Sequence, residues 1–167
     1  IKGGVIPREF IPSCDKGFQQ SMLKGRLIEA PVVNVRVCIN DGAYHPVDSS
    51  DNAFQAAARG AWRAAFDRAR PIVLEPVMKV EVSTPEDFMG DIIGDLNSRR
   101  GRIDAMEDIP GGAKLVRAFV PLANLFGYTN DIRSMSQGRA ASTMELAQYE
   151  EVPPNVAQEI VEKRTNK

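Results

Sequence analysis

Apolar residues recur along the chain with two different periods, and their order predicts a protein of the α+β class. Residues 7–25 have apolar side chains at helical intervals, which predicts a helix with one buried face. Residues 31–39 are rich in β-branched side chains with polar alternates, which predicts a half-buried strand. Residues 52–70 return to the helical period, with alanine and aromatic side chains along one continuous stripe.

After Pro71 the pattern restarts, so a second module is predicted with its boundary near this residue. One helix is predicted to begin at Thr84 as its N-cap, with Pro85 in the first turn. A second helix is predicted within residues 122–135, interrupted near Gly127. Strands are predicted over residues 74–82, 102–107, 114–120 and 140–149. The resulting βαββαβ order is that of the ferredoxin-like fold. A break at residues 152–154 precedes a closing amphipathic helix.

Two glycines lie inside the first helix of this second module. Gly90 and Gly94 each weaken a helix by about 1 kcal/mol relative to alanine. Their presence predicts that another part of the backbone approaches this helix closely.

A rigid turn over residues 41–51 joins the predicted strand to the alanine-rich helix. Asp41 and Gly42 form a turn signal, since glycine adopts positive φ without strain. Pro46 then fixes the backbone, and an Asp-Ser-Ser-Asp cluster can cap the following helix. His45, the only histidine in the sequence, would lie on this tip. An exposed imidazole can stack on a base, donate to a phosphate or remain a solvated surface group.

Composition indicates a soluble globular protein. The chain has 167 residues, of which 43% are hydrophobic and 26% charged. The apolar runs are short and interrupted, so a transmembrane helix is not predicted. The sequence begins without methionine and without a signal-peptide pattern, so an internal fragment of a longer protein is expected.

Charge is distributed unevenly along the chain. Residues 1–72 carry ten lysines and arginines against seven acids, residues 73–153 carry eight against thirteen, and residues 154–167 carry three against two. A mildly basic first part suits a polyanionic partner, whereas an acidic second part argues against a free-standing nucleic-acid binder. The arginines of the alanine-rich helix fit a solvated face better than an RNA contact.

Several kinds of chemistry are disfavoured. Two cysteines, Cys14 and Cys38, with one histidine cannot form a structural zinc site, and both are predicted to be buried thiols in a reducing cytosol. His45, Asp48 and Ser49 are the residue types of a catalytic triad, but on one short tip they are not expected to face one another. The glycine-rich nucleotide-binding motifs are missing from the sequence. The predicted βαββαβ sheet offers only Phe119 for base stacking, which disfavours an RNA-recognition module.

Long motifs in both modules resemble bacterial-type translation elongation factor G, over nearly the whole chain and in order. In the first module they are residues 3–7 and the tip residues 41–50. In the second they are residues 74–82, 94–101, 120–122 and 126–128. The resemblance implies that residues 1–72 are most of domain IV, with a left-handed βαβ crossover of ribosomal-protein-like type. It further implies that residues 73–153 are the ferredoxin-like domain V, and that residues 154–167 form a helix packing back on domain IV.

The resemblance also implies a function. Members of the family are ribosome-dependent GTPases that drive tRNA–mRNA translocation in the cytoplasm. Domain IV enters the small-subunit decoding region, where the tip residues Asp41, Gly42, Tyr44 and His45 would contact the codon–anticodon helix. Domain V would lie near the GTPase-associated centre of the large subunit. The protein is expected to be a monomer that binds neither membrane nor DNA.

The chain itself is expected to have no catalytic site, cofactor or metal, since GTP and magnesium belong to a GTPase domain outside it. Residues 129–139 differ in detail from the commoner family pattern, which leaves open a paralogue specialised for ribosome recycling. Tetracycline-resistance ribosome-protection proteins share the architecture but are expected to carry a different tip. From another class, a stand-alone RNA-binding module would bind RNA alone with a steep dependence on salt.

Overall fold

A computed structural model describes residues 4–165 of the chain and divides them into two compact units. The first unit comprises the described residues up to Val73 together with those from Pro153 onward, and the second comprises Leu74–Val152. Helices and an antiparallel sheet are both present, so the α+β class is confirmed.

The first unit is helical within its described residues. A short 3-10 turn at Arg8–Phe10 leads into helix α1 (Ile11–Met22), and helix α2 spans Asp51–Phe66. Helix α1 and helix α2 enclose a small apolar core, made by Ile6, Cys14, Phe54 and Ala58 with Phe10, Phe18 and Ile39 beside them. The buried stripe of α2 is Phe54, Ala58, Trp62 and Phe66, a spacing of four residues that keeps one face inward. The neighbouring alanines of the predicted stripe, such as Ala57 and Ala61, are exposed.

The predicted strand at residues 31–39 is wrong. The segment runs between the two helices without ladder hydrogen bonds, and Val33, Val35 and Val37 are exposed. Two physical reasons account for this. Asn34 has a left-handed φ of 58°, which interrupts the extended backbone. A strand also needs a partner, and no strand is formed elsewhere in the described part of this unit. The predicted βαβ arrangement of the first module is therefore not formed within residues 4–73.

The two cysteines of the first unit differ in burial. Cys38 is exposed rather than buried, whereas Cys14 is buried as predicted.

The second unit has the predicted βαββαβ order. Its elements are strand β1 (Leu74–Pro85), helix α3 (Glu86–Ser98), strands β2 (Arg102–Ile109) and β3 (Ala113–Pro121), helix α4 (Tyr128–Met135) and strand β4 (Ala141–Glu151). The sheet order is β2-β3-β1-β4, and every neighbouring pair is antiparallel. The β2–β3 hairpin turns through Gly111 and Gly112, both at positive φ. This arrangement confirms the ferredoxin-like prediction for this unit. Helix α5 (Pro154–Thr165) follows in the chain.

One face of this sheet is buried beneath α3 and α4. Its central side chains, which include Val80, Val116 and Val120, are fully buried together with Ile92 of α3 and Ile132 of α4. Burial of an aliphatic side chain of this size contributes about 1.5–3 kcal/mol. The hydrophobic core of the second unit is therefore what holds its sheet and helices together.

Two details of α3 differ from the sequence prediction. Thr84 is not the N-cap, because β1 continues through it and Pro85 occupies the N-cap position. Gly90 and Gly94 are not in close contact with another element, since a Cβ built on either meets no atom within 4 Å. The prediction of a close backbone approach at these glycines is therefore wrong within the described residues.

Tyr128, the first residue of α4, has a buried hydroxyl without a hydrogen-bond partner among the described residues. Leaving a buried hydroxyl unpaired costs about 1–3 kcal/mol. Tyr128→Phe is therefore expected to raise the free energy of unfolding of the second unit by about 1 kcal/mol. Hydrogen exchange of its core amides measures this change.

Burial also raises the pKa of Tyr128. The folded state holds the Tyr128 proton more tightly than the unfolded state does. The free energy of unfolding therefore keeps its full value below about pH 10 and falls as the pH rises beyond it. The phenylalanine variant should lack this alkaline loss. Tyr149→Phe is the matched control, because Tyr149 is 60% exposed. An equal response of the two variants to alkaline pH would contradict the expectation.

Candidate RNA-contacting tip

The tip between residues 41 and 50 is an exposed, irregular segment with a turn at residues 46–48. The backbone N–H of Ser49 donates to the His45 carbonyl at 3.0 Å and closes this turn. The His45 side chain is 65% exposed, and Asp48 beside it is 82% exposed. Both side chains are therefore accessible to a partner.

Hydrogen bonds within the turn fix both the backbone and the ring of His45. The Ser49 hydroxyl accepts from the His45 backbone N–H at 2.9 Å. The backbone N–H groups of Val47 and Asp48 each donate to His45 Nδ1 at 3.4 Å. A carboxylate oxygen of Asp48 lies 3.2 Å from the same nitrogen. The imidazole is thus engaged by the turn through Nδ1, and Nε2 is its other polar atom.

The start of α2 holds the far end of the tip. Ser50 is the N-cap, and its hydroxyl accepts from the Ala53 backbone N–H at 3.1 Å. Ser13 of α1 donates to the Asp51 carboxylate at 2.7 Å. An N-cap of this kind contributes about 1 kcal/mol. The capping role predicted for the Asp-Ser-Ser-Asp cluster is therefore met by Ser50, while Asp51 links the two helices.

Aromatic packing supports the near side of the tip. The rings of Tyr44 and Phe10 lie 6.0 Å apart, and Phe10 stacks on Phe54 at 4.6 Å with a 15° angle between the planes. Gly42 lies against Ile6, because a Cβ on Gly42 would come within 2.6 Å of Ile6 Cγ1. Tyr44 itself remains 43% exposed. Residues just before α1 and the start of α2 thus hold the base of the tip, and part of Tyr44 stays accessible.

The four residues predicted to form the site therefore have different local roles. Gly42 and Tyr44 pack on the body of the unit, whereas the Asp41 carboxylate accepts from the Gly42 backbone N–H at 2.8 Å. All four residues are exposed, and the His45 ring is held by hydrogen bonds within the turn. Ile6 and Phe10 were not predicted as supports of the tip, since nothing in the local pattern connects them to residues more than thirty positions away.

The geometry does not form a hydrolytic triad. His45 and Asp48 do face each other, contrary to expectation, but the Ser49 hydroxyl is bonded to the His45 backbone rather than to its imidazole. A nucleophile must share a hydrogen bond with its base. Among the described residues there is also no group of three or more histidine, cysteine, aspartate or glutamate side chains arranged to hold a metal ion.

The open face of the sheet in the second unit is occupied by ion pairs. Arg117 on β3 lies 2.8 Å from Glu81 on β1 and also pairs with Glu107 on β2. Lys79 lies between Glu81 and Glu145, at 3.3 and 3.4 Å. Hydrogen bonds from Arg117, and then from Lys79, hold the pKa of Glu81 below its ordinary value. Cations committed to carboxylates on the same face are poorly placed to bind phosphate, so this face is unsuited to RNA.

Family models match both units. The model described as "Elongation factor G, domain IV" matches residues 1–70, and the one described as "Elongation factor G C-terminus" matches residues 72–160. The chain belongs to the elongation factor G family.

A solved relative of this elongation factor G chain agrees in structure. A crystal structure of a protein from Thermus thermophilus is 39% identical and has a TM-score of 0.88. The match covers 99% of this chain and 25% of that one. This chain therefore spans about a quarter of the length of the solved structure it matches. Among residues 4–165 every helix is too short or too polar to cross a membrane.

Proposed function

We propose that this chain is the ribosome-engaging C-terminal part of a translocation factor, with the first unit acting as domain IV and the second as domain V. The proposed tip residues are Asp41, Gly42, Tyr44 and His45, which would contact the codon–anticodon helix in the decoding region. A protein containing this chain would act in the cytoplasm as a monomer. GTP and magnesium would be bound by a GTPase domain outside residues 1–167, and the second unit would lie near the GTPase-associated centre.

The observation that carries this proposal is the exposed His45 on a tip with a fixed base. The packing of Tyr44 on Phe10 and the capped start of α2 hold the two ends of the tip. A structural element that blocks the return of tRNA needs stiffness and polar contacts rather than acid–base chemistry. The fixed ends of the tip and the exposed polar side chains of His45 and Asp48 support such a role.

Exposed arginines of the first unit that lie outside its ion pairs further support a polyanionic partner. Arg36, Arg63, Arg68 and Arg70 are exposed, and none of them takes part in an ion pair recorded among residues 4–165. In the second unit six of the eight basic residues are paired with acids, the exceptions being Arg133 and Arg139. The first unit is therefore the better candidate for RNA contact.

The test uses a chimera in which this chain replaces the corresponding C-terminal part of an active elongation factor G. His45→Ala is expected to slow single-turnover translocation about tenfold, the loss of one hydrogen bond worth about 1.4 kcal/mol. GTP hydrolysis should be unchanged, because the GTPase domain is proposed to lie outside residues 1–167. Lys16→Ala, an exposed change on α1, is the control and should leave both rates unaltered.

Three outcomes would count against parts of the proposal. A chimera that splits ribosomes with recycling factor but barely translocates would assign the chain to a recycling paralogue. Equal translocation by the His45→Ala and unaltered chimeras would remove the role of His45 and leave only the shape of the tip. Tight binding of the isolated chain to RNA, with a steep salt dependence, would favour a stand-alone RNA-binding module.

A further inference from the structure

We propose that the turn at residues 45–49 makes the exposed His45 side chain an obligate hydrogen-bond donor, whose Nε2–H binds an acceptor atom of RNA. The acceptor would be a phosphate oxygen, a ribose 2′-oxygen or an acceptor atom of a base edge. This inference rests on the proposed function for the identity of the ligand. The donor assignment itself rests only on the contacts of the ring.

Those contacts decide where the proton of the neutral ring lies. Two backbone N–H groups, from Val47 and Asp48, point at Nδ1. A nitrogen that receives two donors must offer its lone pair, so the proton of the neutral ring belongs on Nε2. A proton on Nδ1 would instead face both backbone hydrogens.

The Asp48 carboxylate favours the opposite tautomer, because it would accept from an Nδ1–H at 3.2 Å. The backbone donors prevail for a structural reason. They belong to a turn closed by two hydrogen bonds between His45 and Ser49. The Asp48 side chain is 82% exposed, and it can rotate into water at little cost.

Protonation of the His45 ring leaves Nε2–H in place as a hydrogen-bond donor. The charged imidazole carries a proton on each nitrogen, so the backbone N–H groups of Val47 and Asp48 lose Nδ1 as their acceptor and the Asp48 carboxylate accepts from Nδ1–H instead. Among residues 4–165, Asp48 is the one carboxylate recorded within ion-pair distance of the ring. Nε2 keeps its proton in both states, so the tip donates and does not accept at this atom.

The first experiment reads the tautomer directly in this 167-residue chain. Long-range ¹H–¹⁵N correlation spectra at alkaline pH should show a pyridine-like Nδ1 and a pyrrole-like Nε2 for His45. Asp48→Asn should leave this pattern unchanged, because the backbone donors remain. Ser49→Ala removes the bond to the His45 backbone and should produce averaged shifts from a tautomer mixture. A protonated Nδ1 with a bare Nε2 in the unaltered chain would overturn the assignment.

The second experiment tests the ligand in the chimera. His45→Gln places an amide donor at similar reach and should retain translocation within about threefold. His45→Met, of similar length without a donor, should lose about tenfold. Equal losses for the two variants would overturn the role of a donor. Failure of the unaltered chimera to translocate would overturn the proposed function and the RNA ligand together, while the spectra would still decide the tautomer.

Discussion

Gly17→Ala is expected to destabilise the first unit by about 2–3 kcal/mol, the usual cost of forcing extra volume into a packed interface. Gly17 lies in the middle of α1, where that helix crosses α2. A Cβ at this position would come within 2.6 Å of the Gln55 carbonyl oxygen and 2.9 Å of Ala58 Cβ. The oxygen belongs to a helix backbone, so relief requires moving α2 as a whole rather than rotating one side chain.

The matched control is Gly60→Ala, in the same unit and in the partner helix. A Cβ on Gly60 meets no atom within 4 Å. Alanine there should raise stability by about 0.5–1 kcal/mol, because glycine is the poorer helix former. Trp62, the only tryptophan in the sequence, lies buried in α2, so its fluorescence in denaturant titrations reports unfolding of the first unit. Equal denaturation midpoints for Gly17→Ala and Gly60→Ala would show that α1 and α2 cross less closely at Gly17 than the structure places them.

The contrast among glycines shows a limit of sequence analysis. Gly17 and Gly94 both lie in helix interiors, and composition assigns both the same local penalty. Only the tertiary structure distinguishes Gly17, which touches α2, from Gly94, which faces open space. The prediction that helical glycines allow close packing is therefore right for Gly17, for which it was not made, and wrong for Gly90 and Gly94, for which it was made.

The two units differ in how well their strands could be predicted. In the second unit the alternating segments find partners within the same stretch of chain, and a glycine turn fixes the β2–β3 hairpin. Residues 31–39 have a similar β-branched pattern but no partner among the described residues. Side-chain alternation specifies which faces a strand would present, whereas pairing depends on a second strand that the pattern cannot supply.

At the tip, the sequence could place His45 on an exposed turn because the turn signals are local. Pro46 begins the observed turn and Ser50 caps α2, each within a few residues of His45. The turn predicted at Asp41 and Gly42 is wrong, because Gly42 lies before the observed turn and does not have a positive φ. The supports of the tip are not local. Ile6 and Phe10 contact Gly42 and Tyr44 across more than thirty residues of chain, and both belong to the core that also contains Phe54 of α2.

Arg99→Met is expected to destabilise the second unit by about 2–3 kcal/mol, since it leaves partly buried acceptors unpaired. Arg99 follows the last turn of α3, and its side chain is only 15% exposed. It donates to Asp95 at 2.7 Å and to the Asn124 carbonyl at 3.0 Å, and it also pairs with Asp131. Its guanidinium lies 5.0 Å from the centre of the Tyr128 ring. One side chain thus joins α3, the loop after β3 and α4.

Methionine preserves the aliphatic stem of Arg99, so the expected loss reports the guanidinium contacts rather than packing. Arg99→Lys should give an intermediate loss, because one ammonium group cannot reproduce a planar fork that reaches three acceptors. Arg133→Met is the control, since Arg133 is an exposed residue of α4 outside the ion pairs recorded for residues 4–165. That change should stay within about 0.5 kcal/mol. Hydrogen exchange of the Val80 and Val116 amides in the core measures each value independently of Trp62. Equal effects at Arg99 and Arg133 would mean that the Arg99 contacts contribute no more than a solvated charge, and that the core alone holds α4 in place.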